Sequence, residues 1–324
     1  MYRIKLMILW GLLFSIWLCK SLFLSSYAEE SRTVCAEAFF TEYTFFTETE
    51  QTSTEIPAEM TSYEALETPV SGISLPYDAE SYAAGVVAAE MPVYFPAEAL
   101  KAQAVAARTY ACREYIQCGN TDFHAMGQAY LSKDELKARW GADFEKNYAK
   151  ILSAVNETAG EILIYDSEPI LAAFCSASGG KTESSADAWG GELPYLQSVE
   201  SPYDINAPVY LQEKRISDTS LAAVLGISTA EDIKVTKRSA AGYVQNLEAG
   251  GKQFSGDEIR RLLKLNSNDF EVRRENGETV FTVYGYGHGV GMSQYGAMYM
   301  AENGSSYRDI LYHYYTGAEI GKIK

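Results

Sequence analysis

Glu90 is the residue whose type and surroundings best suit proton transfer. It lies in VVAAEMPVYFP, on the last turn of a helix-patterned stretch that Pro92 must end. The C-terminal end of a helix carries partial negative charge, so a carboxylate there should have a raised pKa. The apolar neighbours Val87, Ala89, Met91, Tyr94 and Phe95 should raise it further. A carboxyl group still protonated near neutral pH is what general-acid catalysis requires. The competing reading is an ordinary surface glutamate. Arg108, in AVAARTYA, has small neighbours that let a guanidinium lie flat. It could hold Glu90 or a substrate oxygen, or form a structural ion pair inside a helix bundle.

Three further stretches carry polar chemistry. CSASGGKTESSADAW follows an apolar strand, and its Ser176-x-Ser178-Gly-Gly turn offers hydroxyls and backbone N–H groups to ligand oxygens. It is not a Gly-x-Ser-x-Gly elbow, so it gives little support to a serine hydrolase. Tyr195 in ELPYLQSV could stack on a sugar ring or sit in the core. GYGHGVGMSQYG places His288, one of three histidines, among glycines at 285, 287, 289, 291 and 296. That density implies tight turns or close backbone approach. His288 could be a ligand, an acid or base, or a hydrogen-bonded core residue. Cys118 and His124 could supply two zinc ligands at a loose spacing.

These side chains must be positioned by a mixed set of elements. The spacing predicts a helix over Tyr77–Met91, with Tyr82, Val86 and Ala89 on one face. A second helix starts at Pro96, at the favoured first-turn position, with a small-residue face of Ala97, Leu100, Ala104, Val105, Ala107 and Ala111. Shorter helices are expected at Lys133–Trp140 and Asn147–Asn156. EILIYD and PILAAFCSAS read as strands, Ala230–Gly251 as a hairpin, and TVFTVY as a strand. Helices at Ser293–Glu302 and Ser306–Tyr315 follow. The fold class is α+β, with one domain at 72–324.

Composition restricts the partners. The chain has 324 residues, 27 Lys+Arg against 43 Asp+Glu, and a formal net charge of −16. With no basic run, nucleic acid is a poor partner. The 24 Tyr and 13 Phe fit sugar or peptide surfaces better than phosphate. Residues 1–28 read as a signal peptide or single-pass membrane anchor: Arg3 and Lys5 precede an apolar stretch of about 22 residues, interrupted by Lys20. Ser26-Tyr27-Ala28 could be cleaved, which would make the protein secreted. Residues 29–71 are rich in Glu and Thr and read as an acidic linker. Of the five cysteines, Cys112, Cys118 and Cys175 fall in the folded part, an odd number that argues against a disulfide scaffold.

Together, YAAGVVAAEMPVYFPAEALKAQAVAARTYA, SASGGKTES, PYLQSVESPYD and GYGHGVGMSQYGAMYMA resemble the SpoIID/LytB domain family of sporulation proteins, over about residues 74–322. The resemblance implies an extracytoplasmic lytic transglycosylase acting during engulfment in endospore formation. Its substrate would be peptide-stripped peptidoglycan, cut at the MurNAc-β-1,4-GlcNAc bond to 1,6-anhydro products. It implies Glu90 as the acid/base, with Arg108, Tyr195, Ser176, Ser178, His288 and Gln294 binding substrate. It implies a membrane location on the mother-cell side of the septal wall, and as partners the amidase SpoIIP and the membrane protein SpoIIM. No cofactor is needed for the chemistry; a structural zinc at Cys118 and His124 is implied, although their spacing is one residue longer than expected. Gln197 and Cys175 stand where the family often has Lys and His. Two rival functions remain: a non-catalytic wall-binding module that recruits or activates an amidase, and a metal-dependent hydrolase using Cys118, His124 and His288.

Overall fold

The computed structural model describes residues 75–323 and a two-residue strand, β1 (Thr68–Pro69). The apolar segment 1–28 and all but those two residues of the 29–71 linker lie outside the described residues. Among the described residues no helix is long and apolar enough to cross a membrane.

The chain first builds a helical body. α1 (Ala79–Glu90) is N-capped by Asp78, whose Oδ1 accepts the Glu80 and Ser81 N–H groups at 3.1 Å each. α2 (Ala97–Cys118) starts directly after Pro96 and stops at Gly119, which adopts the left-handed conformation at φ 65°. α3 (Lys133–Trp140) opens with a Ser132/Glu135 capping box, and α4 (Phe144–Glu157) follows almost at once. Of the expected small-residue face of α2, Leu100, Ala104, Val105, Ala107 and Ala111 are buried, whereas Ala97, in the first turn, is exposed; Ala99, Ala102 and Ala106 are enclosed as well. Small side chains let α2 pack closely against α1 and α4 and against β2 (Glu161–Tyr165).

The segment expected as one long strand, PILAAFCSAS, is a correction. Only β3 (Glu168–Pro169) and β4 (Phe174–Cys175) are strands there. Between them the chain turns tightly, with the Ala173 N–H on the Leu171 carbonyl at 2.8 Å, and the Leu171 N–H bonds the Tyr195 hydroxyl instead of a ladder partner. An apolar run buried on all sides carries no period with which to choose between strand and irregular core. A short helix, α5 (Ser185–Trp189), then leads to the second half of the chain.

Residues 211–284 form an inserted lobe. β5 (Leu211–Ser217) begins it. Next come α6 (Asp218–Leu225), β6 (Lys234–Arg238), β7 (Val244–Ala249), β8 (Lys252–Ser255) and α7 (Gly256–Leu263). β9 (Asp269–Glu275) and β10 (Glu278–Tyr284) end it. The strands form two antiparallel sheets, β5-β10-β9 and β6-β7-β8, the second containing the expected hairpin. Leu211 pairs with Tyr284, so the chain enters and leaves the lobe side by side. The lobe has its own apolar cluster, which includes Leu221, Leu247, Ile259, Phe270 and Phe281. The described residues therefore hold two principal apolar clusters, one in the body and one in the lobe.

The chain then returns to the body through β11 (Met292–Ser293), α8 (Gln294–Glu302), α9 (Tyr307–Tyr314) and β12 (Glu319–Lys322). β12 pairs antiparallel with β2 and parallel with β1, closing a sheet of order β1-β12-β2-β3. The architecture is α+β.

Candidate active site

Glu90 is the last residue of α1, and the Met91 N–H that closes the helix bonds the Val87 carbonyl. The side chain is half-buried, while Val87, Ala88 and Met91 around it are almost fully enclosed. Its Oε1 accepts the backbone N–H of Ala129 at 2.9 Å. The segment carrying Ala129 is pinned along one face of α1. Tyr82 Oη donates to Gln128 Oε1 at 2.8 Å, and the Leu131 N–H reaches the Gly85 carbonyl at 3.3 Å. Tyr82, Gly85 or Val86, and Glu90 follow the helical repeat, so all three contacts fall on the same side of α1. Gly85 permits this close approach: a Cβ there would lie 2.3 Å from the Tyr130 ring and 2.7 Å from the Leu131 carbonyl oxygen.

The electrostatics at this helix end are unusual. The last turn of α1 contains no basic residue. A cation arrives instead from α3, where Arg139 Nη1 donates to the Ala88 carbonyl at 3.4 Å. The following turn is fixed by the Phe95 N–H on the Pro92 carbonyl at 3.1 Å and by Lys150 Nζ on the Phe95 carbonyl at 2.8 Å. The Phe95 ring meets Tyr295 of α8 at 5.2 Å between centroids. Gln294, beside Tyr295, donates through Nε2 to Gln103 Oε1 on α2 at 3.4 Å. The Ser176 carbonyl accepts the Tyr295 N–H at 3.0 Å. Ser176, Gln294 and the turn after Glu90 are therefore joined through Tyr295.

The other sequence candidates have different surroundings. Arg108 is fully buried and forms a two-pronged ion pair with Glu80, Nε–Oε1 at 3.0 Å and Nη2–Oε2 at 2.5 Å. Its Nη1 donates to the Glu161 carbonyl at 2.8 Å. Glu80 lies ten residues before Glu90 on α1, about 15 Å along the helix axis. The geometry of Arg108 is that of the structural ion pair, not of a partner to Glu90. Tyr195 is 6% exposed, with its hydroxyl accepting the Leu171 N–H at 3.1 Å and its ring 5.6 Å from that of Tyr165. It occupies the core position that the sequence left open.

Ser178 is fully buried and gives both its N–H and its hydroxyl to Asp204 Oδ2, at 2.7 and 2.5 Å. Asp204 also accepts the Ser293 hydroxyl at 2.8 Å, next to the Ser201–Tyr314 hydroxyl pair. Burial pushes the Asp204 carboxyl up to about 6 despite these donors. The carboxylate thus ties together the serine turn and the N-cap of α8, beside the C-terminal end of α9. Reading the sequence missed Asp204, because SPYD carries no local signal for a buried hub. It also missed Glu80, Arg139 and the Ala129 amide; the amide could not have been read from a side-chain pattern at all.

His288 sits in a loop whose four alternate glycines, 285, 287, 289 and 291, all have positive φ. Its Nδ1 accepts the Val290 N–H at 3.0 Å, and a hydrogen bond to the Phe174 backbone holds the ring on its other side. Burial, and then the nearby Arg260 charge, push its pKa down to about 3. The imidazole is held in its neutral form on a half-buried loop, as expected of a hydrogen-bonded structural histidine. At Gly289 a Cβ would collide with the Tyr243 hydroxyl at 2.2 Å, which explains the glycine where the lobe meets this loop.

Cys118 is half-buried with a free thiol, and His124 is exposed, its ring edge-on to Tyr130 at 5.0 Å. Among the described residues no group of three or more His, Cys, Asp or Glu side chains is arranged to hold a metal. A structural zinc needs about four ligands, so the residues present do not assemble the zinc site the resemblance implied. For the same reason Cys118, His124 and His288 do not form the centre of a metal-dependent hydrolase. Cys112 and Cys175 are also free thiols.

Comparison with known proteins agrees with the sequence motifs. Residues 74–165 match the family model described as "SpoIID: Stage II sporulation protein". The chain is 42% identical to stage II sporulation protein D of Bacillus amyloliquefaciens, over 84% of this chain and 81% of the relative. It is also 42% identical to stage II sporulation protein D of Bacillus subtilis, over 75% of this chain and 74% of the relative. A more distant relative is the amidase enhancer of Bacillus subtilis, 27% identical over 73% of this chain and 40% of that protein. With 42% identity to two stage II sporulation proteins D over most of both chains, the chain belongs to the SpoIID family of stage II sporulation proteins.

Proposed function

We propose that this chain, whose family membership implies a role in sporulation, is a lytic transglycosylase that cuts the glycan strands of peptidoglycan, with Glu90 as its acid and base. The observation that supports this most is the setting of Glu90: a half-buried carboxyl at a helix C-terminus, held by the Ala129 amide among enclosed apolar residues. Protonated Glu90 gives its proton to the oxygen of the MurNAc-β-1,4-GlcNAc bond as that bond breaks. The sugar passes through an oxocarbenium-like state. Its own C6 hydroxyl then attacks C1 and returns its proton to Glu90. The product is a 1,6-anhydro end, no water is consumed, and one carboxyl group serves both steps. Ser176 and Gln294, joined through Tyr295, stand on the substrate side of this reading, whereas Arg108, Tyr195 and Ser178 act by holding the scaffold.

The test uses the full-length chain in detergent with peptide-free glycan strands, wild type beside Glu90→Gln, read by mass spectrometry. Products one water lighter than hydrolysis products, absent with Glu90→Gln, are expected. Water-added products would make the enzyme a hydrolase instead. The likeness to an amidase enhancer favours one second reading, a wall-binding module that recruits an amidase. Strand binding with no product from wild type would select it. Residues 1–28 are proposed to hold the domain at the membrane on the side facing the wall, where an amidase and a membrane partner would meet it.

A further inference from the structure

Four residues beyond Glu90, Tyr94 is 48% exposed, while its neighbour Phe95 is fully buried. A lone exposed aromatic residue needs no explanation, but this one is held in place. The turn beneath it is closed by the Phe95 N–H on the Pro92 carbonyl and braced by Lys150 on the Phe95 carbonyl. The Tyr94 ring packs edge-on against Phe95 at 5.3 Å, and Phe95 packs in turn against Tyr295 at 5.2 Å. One turn further along α8, Tyr299 donates its hydroxyl to the Asn206 carbonyl at 2.9 Å, beside Ile205, which is 61% exposed. The buried Phe95 and Tyr295 thus back the exposed Tyr94 beside the catalytic corner.

Four residues span at most about 14 Å, so Tyr94 lies within a few sugar rings of Glu90. We propose that Tyr94 is the stacking platform for a pyranose ring of the glycan strand, adjacent to the bond that is cut. This rests on the transglycosylase reading and adds a substrate subsite to it. The chemistry favours a sugar. A β-linked pyranose presents axial C–H groups on one face, which suit an aromatic ring, and equatorial hydroxyls at its edge, which suit the Tyr94 hydroxyl. A tyrosine joins an apolar face to a polar edge in this way, and a locked ring loses little entropy on binding.

The experiment measures binding of peptide-free glycan strands to the full-length chain carrying Glu90→Gln, so that nothing turns over. Tyr94→Leu, which keeps apolar bulk but lacks a ring face, should weaken binding at least ten-fold; Tyr94→Phe should stay within about three-fold. Both should melt as the parent does. Should Tyr94→Leu lower the melting temperature, the Tyr94→Phe to Tyr94→Trp pair decides: both must bind within about three-fold of the parent. Unchanged affinity in Tyr94→Leu overturns the subsite while leaving the cleavage reading untouched. Weakening seen only with peptide-bearing strands also overturns it and makes the occupant a stem peptide. Ring-dependent binding in a protein that cleaves nothing keeps the subsite and removes the transglycosylase.

Discussion

The helical body and the inserted lobe solve the same burial problem with different materials. In the body, α2 buries its alanines and a charged residue: Arg108 is wholly enclosed and paired with Glu80. The body also buries Asp204 under hydroxyl donors. In the lobe a network of ion pairs lies on the surface, where Arg273 and Arg215 bridge Glu213 and Glu275 across β5, β10 and β9 with side chains 39–44% exposed. Buried polar groups are costly unless every partner is in place, so they fix geometry; exposed pairs are screened and fix little. The region that holds Glu90 is therefore the one built to hold positions. The lobe touches it through Tyr243, whose hydroxyl donates to the Lys181 carbonyl at 3.2 Å.

The contrast would fail at once if Glu90→Gln kept strand-cleaving activity. A general acid contributes roughly 10²- to 10⁴-fold, and a loss at the upper end with an unchanged melting curve is expected. Next in size, Arg108→Met leaves Glu80 without its partner inside the body. The expected cost is about 3–5 kcal/mol, as for other broken buried pairs, read by chemical denaturation. If Arg108→Met instead folded normally and lost only activity, Arg108 would return to the substrate side.

Gly85→Ala should force the 128–131 segment away from α1. A destabilisation of about 1–3 kcal/mol is typical of such overpacking. The displaced Ala129 amide should lower cleavage by more than the lost stability explains, measured on the folded fraction.

A pH series separates two groups whose pKa shifts have opposite sign. His288 has a folded pKa lowered to about 3, so its contribution is complete above the unfolded value near 6.5 and is lost as pH falls towards 3. Asp204 is raised to about 6, so the folded state gains a proton first, and its contribution grows as pH falls from about 6 towards 4. His288→Gln should flatten the acid-side fall in melting temperature, whereas Asp204→Asn should steepen it. The pH profile of cleavage should be unchanged in His288→Gln; a lost limb would give His288 a catalytic part. The smallest effect belongs to the lobe: Arg273→Ala should cost under about 1 kcal/mol and fade further in salt, because its partners are exposed.

Much of the body was legible in the residues. Pro92, Pro96 and Gly119 mark helix ends through fixed or permissive backbone angles, so α1 and α2 fall within a few residues of the expected limits. The lobe was less so. β5 alternates between exposed and half-exposed positions, a weak pattern, and the pairing of Leu211 with Tyr284 joins residues far apart in sequence. Glu90 could be nominated from its place before Pro92. Arg108 could not be assigned, because a helix pattern does not say whether Glu80 or Glu90 faces it.

The sequence by itself determined the α+β class, the acidic character, the helix carrying Glu90, and the motifs shared with its family, because these depend on composition and on periods read within one segment. Tertiary structure alone decided which polar groups meet. It gave Glu90 to the Ala129 amide, Arg108 to Glu80, and Ser178 and Ser293 to Asp204. Those partners are separated by tens of residues or more, and only burial, which makes an unpaired polar group expensive, selects among the choices the sequence leaves open.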